Sequence, residues 1–294
     1  MTFKSGFIAI AGPPNVGKST LLNRITGAKL SIVSPKPQTT RNRVTGILNG
    51  TDFQMVFVDT PGIHKTRTAL HQSMVSSALA TFSEVDILLL MIQTGARNEE
   101  EISSLLDNLK GLKKPVFLII NKIDKVTKEK VLPIIGEYGR RHAFEEVIPI
   151  SALKGYGVEK LLGELKTRLM PGPQFFPADM QTDQTEEFWI SEVIREKLYY
   201  HIRQEVPYSC AVLIDNVEDV PDRDLLRITA RICVETDSQK GIVIGQGGRM
   251  IKSIGRSARL ELETIFETGV FLDLTVRVEK NWSKDTKALR RLGY

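Results

Sequence analysis

The feature that most constrains this chain is a glycine-rich loop between an apolar run and a helical pattern. Residues 12–20 read GPPNVGKST and fit the Gly-x-x-x-x-Gly-Lys-Ser pattern of a phosphate-binding loop. Residues 7–11 before the loop are apolar and predict a buried strand, and Leu21, Leu22 and Ile25 after it recur at helical spacing. A strand, a glycine loop and a helix in this order predict an open α/β sheet that holds a phosphate at the helix N-terminus.

Each residue type in this loop has a chemical reason. Gly12 and Gly17 allow tight backbone turns that bring N–H groups onto phosphate oxygens. The Lys18 ammonium reaches the terminal phosphates, and the Ser19 hydroxyl is placed to hold Mg²⁺. The predicted phosphate-binding residues of this loop are Gly12, Pro13, Pro14, Asn15, Val16, Gly17, Lys18, Ser19 and Thr20.

Length and composition allow one large domain or two medium ones. The chain has 294 residues, a formal net charge of +5 and two cysteines, Cys210 and Cys233. Two thiols in apolar segments indicate packing as small hydrophobic residues, and they imply neither a disulfide framework nor a metal site. No run approaches the ~20 apolar residues of a membrane span, and residues 1–6 show no signal-peptide pattern. We therefore expect a cytoplasmic protein, and the mild positive charge is compatible with a polyanionic partner.

A polar loop follows the first predicted helix. Residues 31–45, SIVSPKPQTTRNRVT, contain two prolines and many small polar side chains, which predict irregular structure. Gln38, Thr39 and Thr40 form the candidate switch within it, because its hydroxyls stand where Mg²⁺ and a terminal phosphate need them. Thr40 is the first choice for this contact and Thr39 the second. The alternative interpretation is a plain surface linker.

An acidic residue, Asp59, ends the next apolar strand at residues 53–58. A carboxylate in that place lies beside the phosphate site of an open α/β sheet, where it can orient a water on Mg²⁺. The Gly62 N–H can bond a γ-phosphate and lose that bond after hydrolysis, which makes residues 63–75 a candidate moving segment. We expect the metal to be held by Ser19, Thr40 and Asp59, and the phosphate site to be completed by Asp59, Thr60, Pro61 and Gly62.

Two further strand ends carry residues suited to guanine. Residues 115–120 run into Asn121-Lys122-Ile123-Asp124, and residues 147–150 run into Ser151 and Ala152. The Asp124 carboxylate can accept both the N1–H and the 2-amino group of guanine, a donor pair that adenine lacks. Asn121 can tie this segment to the phosphate loop, the Lys122 stem can cover the base, and the Ala152 N–H can bond guanine O6.

These motifs, in this order and at these strand ends, resemble those of the translation-factor-related class of P-loop GTPases. The resemblance implies a doubly wound α/β sheet with helices on both faces. Ras-like GTPases place a glutamine directly after the glycine that corresponds to Gly62, whereas this chain has Ile63, which cannot hydrogen-bond a water. Asn15 resembles the asparagine that ligates K⁺ in related GTPases, so K⁺ is a candidate cofactor beside Mg²⁺. The alternative is that Asn15 only braces the loop.

The second half of the chain follows a proline-rich break. Pro171, Pro173 and Pro177 interrupt regular structure, so residues 171–184 are predicted to be a linker. Beyond it the apolar patterns predict a helix at 188–206, strands at 209–217 and 225–235, two helices around the glycines at 245–248, and a strand at 270–278. The predicted order is therefore α-β-β-α-α-β.

The glycines between the two later helices fit the Gly-x-x-Gly backbone clamp of a KH module. Residues 136–139 fit the same pattern but are interpreted as a helix end. The pattern alone therefore does not identify a clamp, and the neighbouring sequence has to be considered. After Gly248, four basic residues at spacings of three and four form one helical stripe, opposite an apolar face. Acidic residues slightly outnumber basic ones beyond Pro173, so the prediction of RNA binding depends on this local stripe and not on net charge. The alternative interpretation is that the stripe is a solvated helix face. The predicted RNA-binding residues are Gly245, Gln246, Gly247, Gly248, Arg249, Lys252 and Arg256.

A P-loop GTPase domain followed by an α+β KH module resembles the Era family over nearly the whole chain. Three segments resemble sequences typical of that family: QTTR at 38–41, VIGQGG at 243–248 and LRRLGY at 289–294. The resemblance implies a GTPase domain at 1–170, a linker at 171–184, a type II KH domain at 185–280 and a tail at 281–294.

The same resemblance carries functional expectations. It implies a monomeric, slow GTPase, stimulated by K⁺ or by RNA and the ribosome, with Mg²⁺ as cofactor. It implies binding to the 3′ region of small-subunit ribosomal RNA, a role in 30S subunit maturation and peripheral contact with the inner membrane. Two alternatives stay open: a GTPase of tRNA modification or membrane traffic, and an RNA chaperone whose GTP site serves for binding alone.

Overall fold

The computed structural model describes residues 2–34, 36, 39–62, 69–95, 98–202 and 206–292. The chain forms two compact units, and the main part of the second begins at Gln184. Of the predicted linker, 171–184, residues 171–183 lie in the first unit. The prediction of an α/β domain followed by an α+β domain is confirmed by the sheet topologies of the two units.

A seven-stranded sheet organises the first unit. Its order is β2-β3-β1-β4-β5-β6, and the short β7 pairs with β1. β2 and β7 run antiparallel to their neighbours, and the other neighbouring strands are parallel. The strands are β1 (Lys4–Ala11), β2 (Val44–Asn49), β3 (Phe53–Asp59), β4 (Ile87–Gln93), β5 (Val116–Asn121), β6 (Glu146–Pro149) and β7 (Met170–Pro171).

Helices cover both faces of this sheet. In the described part of the unit they are α1 (Lys18–Thr26), α2 (Ala69–Glu84), α3 (Glu99–Leu109), α4 (Lys128–Arg141) and α5 (Val158–Arg168). Alternate residues of β1, β4 and β5 pack against α2, α3 and Tyr138 in one hydrophobic core. The residues between them, such as Ile10, Leu89 and Ile119, are equally buried. Burial on both faces is typical of parallel strands between two helical layers, and it explains the near-continuous apolar runs.

A buried glutamine anchors the segment that precedes the second unit. We call residues 172–183 the strap. Gln54 of β3 is fully buried, and its amide nitrogen donates to Asn49 Oδ1 at 2.7 Å and to the Phe176 carbonyl at 2.9 Å. Its amide oxygen accepts from the Phe175 and Phe176 N–H groups at 2.8 and 3.0 Å. All four hydrogen-bonding positions of the amide are therefore used, three of them on the strap.

The strap also bonds β2. The Ile47 N–H donates to the Gln181 carbonyl at 2.8 Å, and the Thr182 hydroxyl donates to the Thr45 carbonyl at 2.7 Å. The Asn49 side chain donates to the Met180 carbonyl at 3.1 Å. Prolines keep this segment from forming a helix, but they carry no information about packing, and so the linker prediction did not include these contacts.

The second unit is built on a three-stranded sheet of order β10-β9-β8. β9 is antiparallel to β8 and parallel to β10. One hydrophobic core joins three helices to one face of the sheet, and it includes Ile194, Ile232, Val243 and Ile254. The elements are α6 (Glu186–His201), β8 (Ala211–Val220), β9 (Leu225–Val234), α7 (Asp237–Ile244), α8 (Arg249–Phe266), β10 (Gly269–Val278) and α9 (Thr286–Arg291). The predicted α-β-β-α-α-β order is confirmed. Across the described residues, no helix combines the length and apolar character needed to cross a membrane.

Replacing the anchor of the strap tests its contribution to the first unit. Gln54→Leu removes four hydrogen bonds at a buried position, so the Phe175 and Phe176 N–H groups lose their acceptors. Since one lost bond is worth about 1 kcal/mol, both amides should exchange with deuterium about fivefold faster, measured by mass spectrometry. Gln181→Leu is the matched control, because its side chain is exposed and its strap bond uses the backbone. Unchanged exchange in Gln54→Leu would contradict the anchoring role.

Candidate nucleotide site and nucleic-acid cleft

Strand ends bring the predicted nucleotide residues to one edge of the first sheet. The phosphate loop follows β1, and Ser151 lies just beyond β6. Asp59 ends β3 and residues 60–62 follow it, while Asn121 ends β5 and residues 122–124 follow it. The carboxyl ends of parallel strands lie on one side of a sheet, which is where open α/β sheets bind ligands. A cavity of about 580 Å³ opens at this edge. It is lined by parts of the phosphate loop, Ile32 to Ser34, both candidate threonines, Gly62, Gln93, residues 121–125 and Leu153.

The two glycines of the phosphate loop allow close backbone packing. Gly12 has φ 155° and Gly17 has φ 103°. A Cβ at Gly12 would lie 2.2 Å from the Met91 carbonyl oxygen, and a Cβ at Gly17 would lie 2.4 Å from Asn121 Nδ2. Both distances are far below van der Waals contact, so a larger residue would push the loop off the sheet.

Lys18 lies under the phosphate loop. Its ammonium donates to the Gly12 and Pro13 carbonyls, at 3.0 Å each, and the side chain is buried. Burial lowers the pKa of Lys18 to about 8, and the negative charge of Asp59 partly opposes this effect. A phosphate bound in the loop would act in the same direction as Asp59 and keep the ammonium protonated.

Three hydroxyls converge on the Asp59 carboxylate. Ser19 Oγ donates to Asp59 Oδ2 at 2.7 Å, Ser31 Oγ donates to it at 3.1 Å, and Thr40 Oγ1 lies at 3.5 Å. Asp59 is completely buried, which raises its pKa, while the Lys18 charge and these hydroxyls lower it. Ser31 was not predicted, because a serine in a polar loop carries no local signal that it will reach a strand end.

The arrangement fits Mg²⁺. The Ser19 and Thr40 hydroxyl oxygens lie 2.8 Å apart. Adjacent ligands of an octahedral Mg²⁺ with metal–oxygen distances of 2.0–2.1 Å are separated by about 2.9 Å. Asp59 Oδ1 is buried and has no hydrogen-bond partner among the described residues, so it is available to a metal-bound water. Hard oxygen ligands of this kind are those that Mg²⁺ prefers.

The structure separates the two candidate switch threonines. Thr40 reaches Ser19 and Asp59, whereas the Thr39 hydroxyl donates to the Lys36 carbonyl at 2.9 Å. The third switch candidate, Gln38, lies outside the described residues, as do Ile63 and the first part of the predicted moving segment. The rest of that segment begins α2 at Ala69.

Residues 60–62 pack beside the phosphate loop. The Thr60 hydroxyl donates to the Ile10 carbonyl at 2.9 Å. A Cβ on Gly62 would lie 3.0 Å from Pro14, so its backbone is in close contact with the loop. This contact places the Gly62 peptide at the phosphate end of the cavity.

The candidate guanine residues form one hydrogen-bonded network. Asn121 Nδ2 donates to the Val16 carbonyl of the phosphate loop at 2.8 Å, and the Lys122 ammonium donates to the Asn15 carbonyl at 2.6 Å. The Ser151 hydroxyl donates to Asp124 Oδ1 at 2.6 Å. The network holds the Asp124 carboxylate at the cavity, where it is available to a base.

The Ala152 N–H has a different acceptor from the predicted one. It donates to Asn121 Oδ1 at 2.9 Å, and Ala152 is fully buried. In the structure this hydrogen bond therefore joins the segment at Ala152 to the segment at Asn121. Guanine O6 would have to share the Ala152 N–H with Asn121 Oδ1. The sequence pattern could not reveal this, because the competing amide oxygen is 31 residues away in the chain.

The Gly-x-x-Gly segment lies in a short turn between α7 and α8. Gly245, Gly247 and Gly248 have φ values of 69°, 59° and 75°, which favour glycine. Gln246 and Gly247 are exposed, and the exposed side chains of Arg249, Lys252 and Arg256 follow along α8. The predicted RNA-binding residues therefore share one accessible surface.

A groove between α8 and β10 extends this surface. Its volume is about 350 Å³, and it is lined by Ile251, Lys252, Gly255, Arg256, Arg259, Leu272 and Leu274. Leu272 and Leu274 form an apolar wall that was not predicted, because alternation along β10 does not show which helix faces it. Arg259 pairs with Glu263 at 3.3 Å, so Lys252 and Arg256 are the better candidates for phosphate contacts. Apolar side chains beside cations suit a base attached to a phosphodiester backbone.

Comparisons with known proteins give matches in both halves of the chain. Residues 7–122 match the family described as 50S ribosome-binding GTPase, and residues 205–283 match the KH domain family. The GTPase Era of Syntrophus aciditrophicus is 51% identical over 292 residues, covering 99% of this chain and 95% of that protein. The GTPase Era of Geobacter metallireducens is 49% identical, covering 99% of this chain and 98% of that protein.

Solved structures are similar over both units. An Era variant from Aquifex aeolicus bound to GDP and aluminium fluoride superposes with a TM-score of 0.95 at 40% identity, covering 99% of each chain. Era in complex with MgGDPNP and nucleotides 1506–1542 of 16S ribosomal RNA superposes with a TM-score of 0.94 at 40% identity, again covering 99% of each chain.

Replacing the Asp124 carboxylate by an amide tests whether this residue selects guanine. Asp124→Asn should lower affinity for GDP by about 1,000-fold, because two charge-assisted bonds to guanine are lost, and should raise affinity for xanthosine diphosphate, whose 2-oxo group accepts from the new amide. Equilibrium titration with both nucleotides measures the change. Asp107→Asn, which alters a carboxylate on α3, is the control and should leave both affinities unchanged. Retained preference for guanine in Asp124→Asn would contradict the role of this residue.

Proposed function

The chain belongs to the Era family of GTPases, and we propose that it is a GTP-hydrolysing switch that binds small-subunit ribosomal RNA and assists 30S subunit maturation. The observation that carries this proposal is the presence of two built sites in one chain. One is the cavity in which Ser19, Thr40 and Asp59 meet beside the phosphate loop. The other is the exposed Gly-x-x-Gly turn with the groove beside α8.

Hydrolysis depends on how the chain holds the triphosphate. The loop N–H groups and the Lys18 ammonium neutralise negative charge that develops on the phosphate oxygens. The Ser19 and Thr40 hydroxyls and, through a water, Asp59 would hold Mg²⁺, which supplies further positive charge when it is bound. Gly62 contacts the phosphate end of the cavity, so its N–H is suited to sense the terminal phosphate. Loss of that contact after hydrolysis would release the segment that follows.

Base selection follows from Asp124. Guanine presents two donors to this carboxylate, whereas adenine presents none at the same edge and would leave a desolvated charge unpaired. The bond from Ser151 keeps Asp124 in place without occupying both of its oxygens. GTP is therefore the proposed substrate, with GDP and phosphate as products.

K⁺ is the proposed activator of turnover. Ile63 follows Gly62 and cannot hydrogen-bond a water, so another group must position the water that attacks the terminal phosphate. Asn15 has φ 62°, and its carbonyl accepts from Lys122, which fixes its backbone at the cavity. We assign K⁺ to this position, where its charge would lie beside the transferring phosphate. Bracing of the loop by Asn15 is the competing interpretation.

A salt comparison distinguishes these two roles of Asn15. GTP turnover by the full chain should be at least about tenfold faster in K⁺ than in Na⁺ at equal ionic strength, which corresponds to a barrier lower by about 1.4 kcal/mol. Asn15→Ala should remove the difference between the two salts. Asn108→Ala, which alters an asparagine on α3, should preserve that difference. Phosphate release is measured in both salts. Equal rates for the unaltered protein would remove K⁺ from the proposal.

RNA binding is assigned to the second unit. A related Era was solved with nucleotides 1506–1542 of 16S ribosomal RNA, and we propose the same class of ligand for this chain. The glycine turn would clamp the backbone, Arg249, Lys252 and Arg256 would contact phosphates, and Leu272 and Leu274 would contact a base. We propose further that turnover is slow and is stimulated by RNA or the ribosome.

Adding negative charge to the clamp tests the RNA assignment. The double variant Gln246→Asp with Gly247→Asp should bind this 16S fragment at least about 100-fold more weakly, because both charges face a phosphodiester backbone, while GDP affinity stays constant. Asn216→Asp with Thr275→Asp adds equal charge elsewhere in the second unit and should not weaken RNA binding. Fluorescence anisotropy at several salt concentrations measures the affinities.

The binding and turnover measurements together separate the alternatives. Stronger binding to tRNA or to anionic vesicles than to the 16S fragment would favour a GTPase of tRNA modification or membrane traffic. RNA binding without turnover, with or without K⁺ and RNA, would favour a chaperone that only binds GTP. Retained affinity in the glycine-turn variant would mean that the clamp lies elsewhere. The monomeric state, cytoplasmic location and peripheral membrane contact stay predictions.

A further inference from the structure

A serine at the start of the polar loop after α1 is fixed by an asparagine of that helix. Leu30, Ser31 and Ile32 lie in irregular backbone, yet they are only 2%, 2% and 3% exposed. The Asn23 amide nitrogen donates to the Ser31 carbonyl at 2.7 Å. The Asn23 amide oxygen accepts from the Leu30 N–H at 3.0 Å and from the Ser31 N–H at 2.9 Å. Both backbone polar groups of Ser31 are therefore held by one side chain of the phosphate-loop helix.

The Ser31 side chain extends this anchorage to the buried carboxylate at the end of β3. Its hydroxyl donates to Asp59 Oδ2 at 3.1 Å, and the same oxygen accepts from the Ser19 hydroxyl at 2.7 Å. The other oxygen, Asp59 Oδ1, is buried and has no partner among the described residues. Two donors from different segments on one oxygen oppose rotation of the carboxylate. They therefore keep Oδ1 in one direction, where it is available to a metal-bound water.

Thr40 is the third hydroxyl at this carboxylate, and its position depends on a different part of the loop. Its Oγ1 lies 3.5 Å from Asp59 Oδ2 and 2.8 Å from the Ser19 hydroxyl. Thr40 belongs to the candidate switch, and switch segments are ordered by the terminal phosphate with its Mg²⁺ and released on hydrolysis. Ser31 precedes the switch, and its bonds to Asn23 lie entirely within the protein. Release of the switch therefore leaves Ser31 in place.

We propose that Ser31, held by Asn23, is a positioning residue that keeps Asp59 directed at Mg²⁺ in both nucleotide states. The proposal rests on the proposed GTPase function and adds Ser31 to the residues that the metal depends on. Its effect is largest with GDP, because Thr40 then leaves the metal and the direction of Asp59 matters more. With a triphosphate, Thr40 is itself a ligand and partly compensates for a misdirected carboxylate.

Removal of one hydroxyl tests the positioning role. The full chain is loaded with a fluorescent derivative of GDP or of GDPNP, and the Mg²⁺ concentration that half-maximally slows nucleotide release is measured. Ser31→Ala should raise this concentration about tenfold with GDP, because a hydrogen bond to a carboxylate changes the population of the favoured orientation by about that factor. The increase with GDPNP should be clearly smaller. Affinity for GDP in EDTA, where Mg²⁺ has no part, should not change.

Two further variants complete the test. Asn23→Ala should reproduce the loss seen with GDP, and the double variant with Ser31→Ala should lose no more than the larger single variant, because both act through one hydroxyl. Ser104→Ala, which alters an exposed serine on α3, is the control and should leave the Mg²⁺ dependence unchanged.

Four results would overturn the proposal. They are an unchanged Mg²⁺ dependence in Ser31→Ala, an equal shift with both nucleotides, a weaker affinity for GDP in EDTA, and additive losses in the double variant. An equal shift or a loss in EDTA would mean that Ser31 supports only the folded site. If Mg²⁺ does not slow GDP release from the unaltered protein, the proposed function itself is contradicted.

Discussion

A buried carboxylate at the end of β3 holds the nucleotide site together. Asp59 accepts hydroxyl bonds from α1, through Ser19, and from the loop after α1, through Ser31. Isolating such a charge from water is costly unless opposite charge and donors compensate. Lys18 and the hydroxyls provide that compensation, so the segments that carry them must gather at one strand end. Asp59 Oδ1, which has no hydrogen-bond partner among the described residues, and the neighbouring hydroxyls are also the oxygen ligands that a divalent cation prefers. The same groups therefore contribute both to local stability and to cofactor binding.

A second buried side chain joins the phosphate and base halves of the cavity. Asn121 donates to Val16 in the phosphate loop and accepts from Ala152 in the last loop of the sheet. It also lies 2.4 Å from where a Cβ on Gly17 would be, so the glycine and the amide depend on each other. Asn121 therefore joins the backbone of the phosphate loop directly to the base-binding loop after β6. Arg24 of α1 supplies a second connection, because its guanidinium donates to the Ala152 carbonyl at 3.2 Å.

Local patterns were enough to predict the fold and most of the residues that the structure brings together at the edge of the first sheet. Burial of parallel strands on both faces produces apolar runs that end in polar motifs, so Lys18, Asp59 and Asp124 were visible in the sequence. Contacts between distant segments were not visible. Ser31 and Arg24 are ordinary residues in a loop and on a helix, and their partners are 28 and 128 positions away. The apolar wall of the RNA groove, Leu272 and Leu274, has the alternation of any half-buried strand.

The strap has a consequence for solubility. β2 is the outermost strand of the first sheet, and an uncovered outer strand offers unpaired N–H and C=O groups to other chains. The bonds from Ile47 and Thr45 to the strap occupy part of that row. The polypeptide that leads to the second unit thus shields the first from self-association. A fragment cut at Met170 would keep every nucleotide-binding residue and still be prone to pair with its own copies.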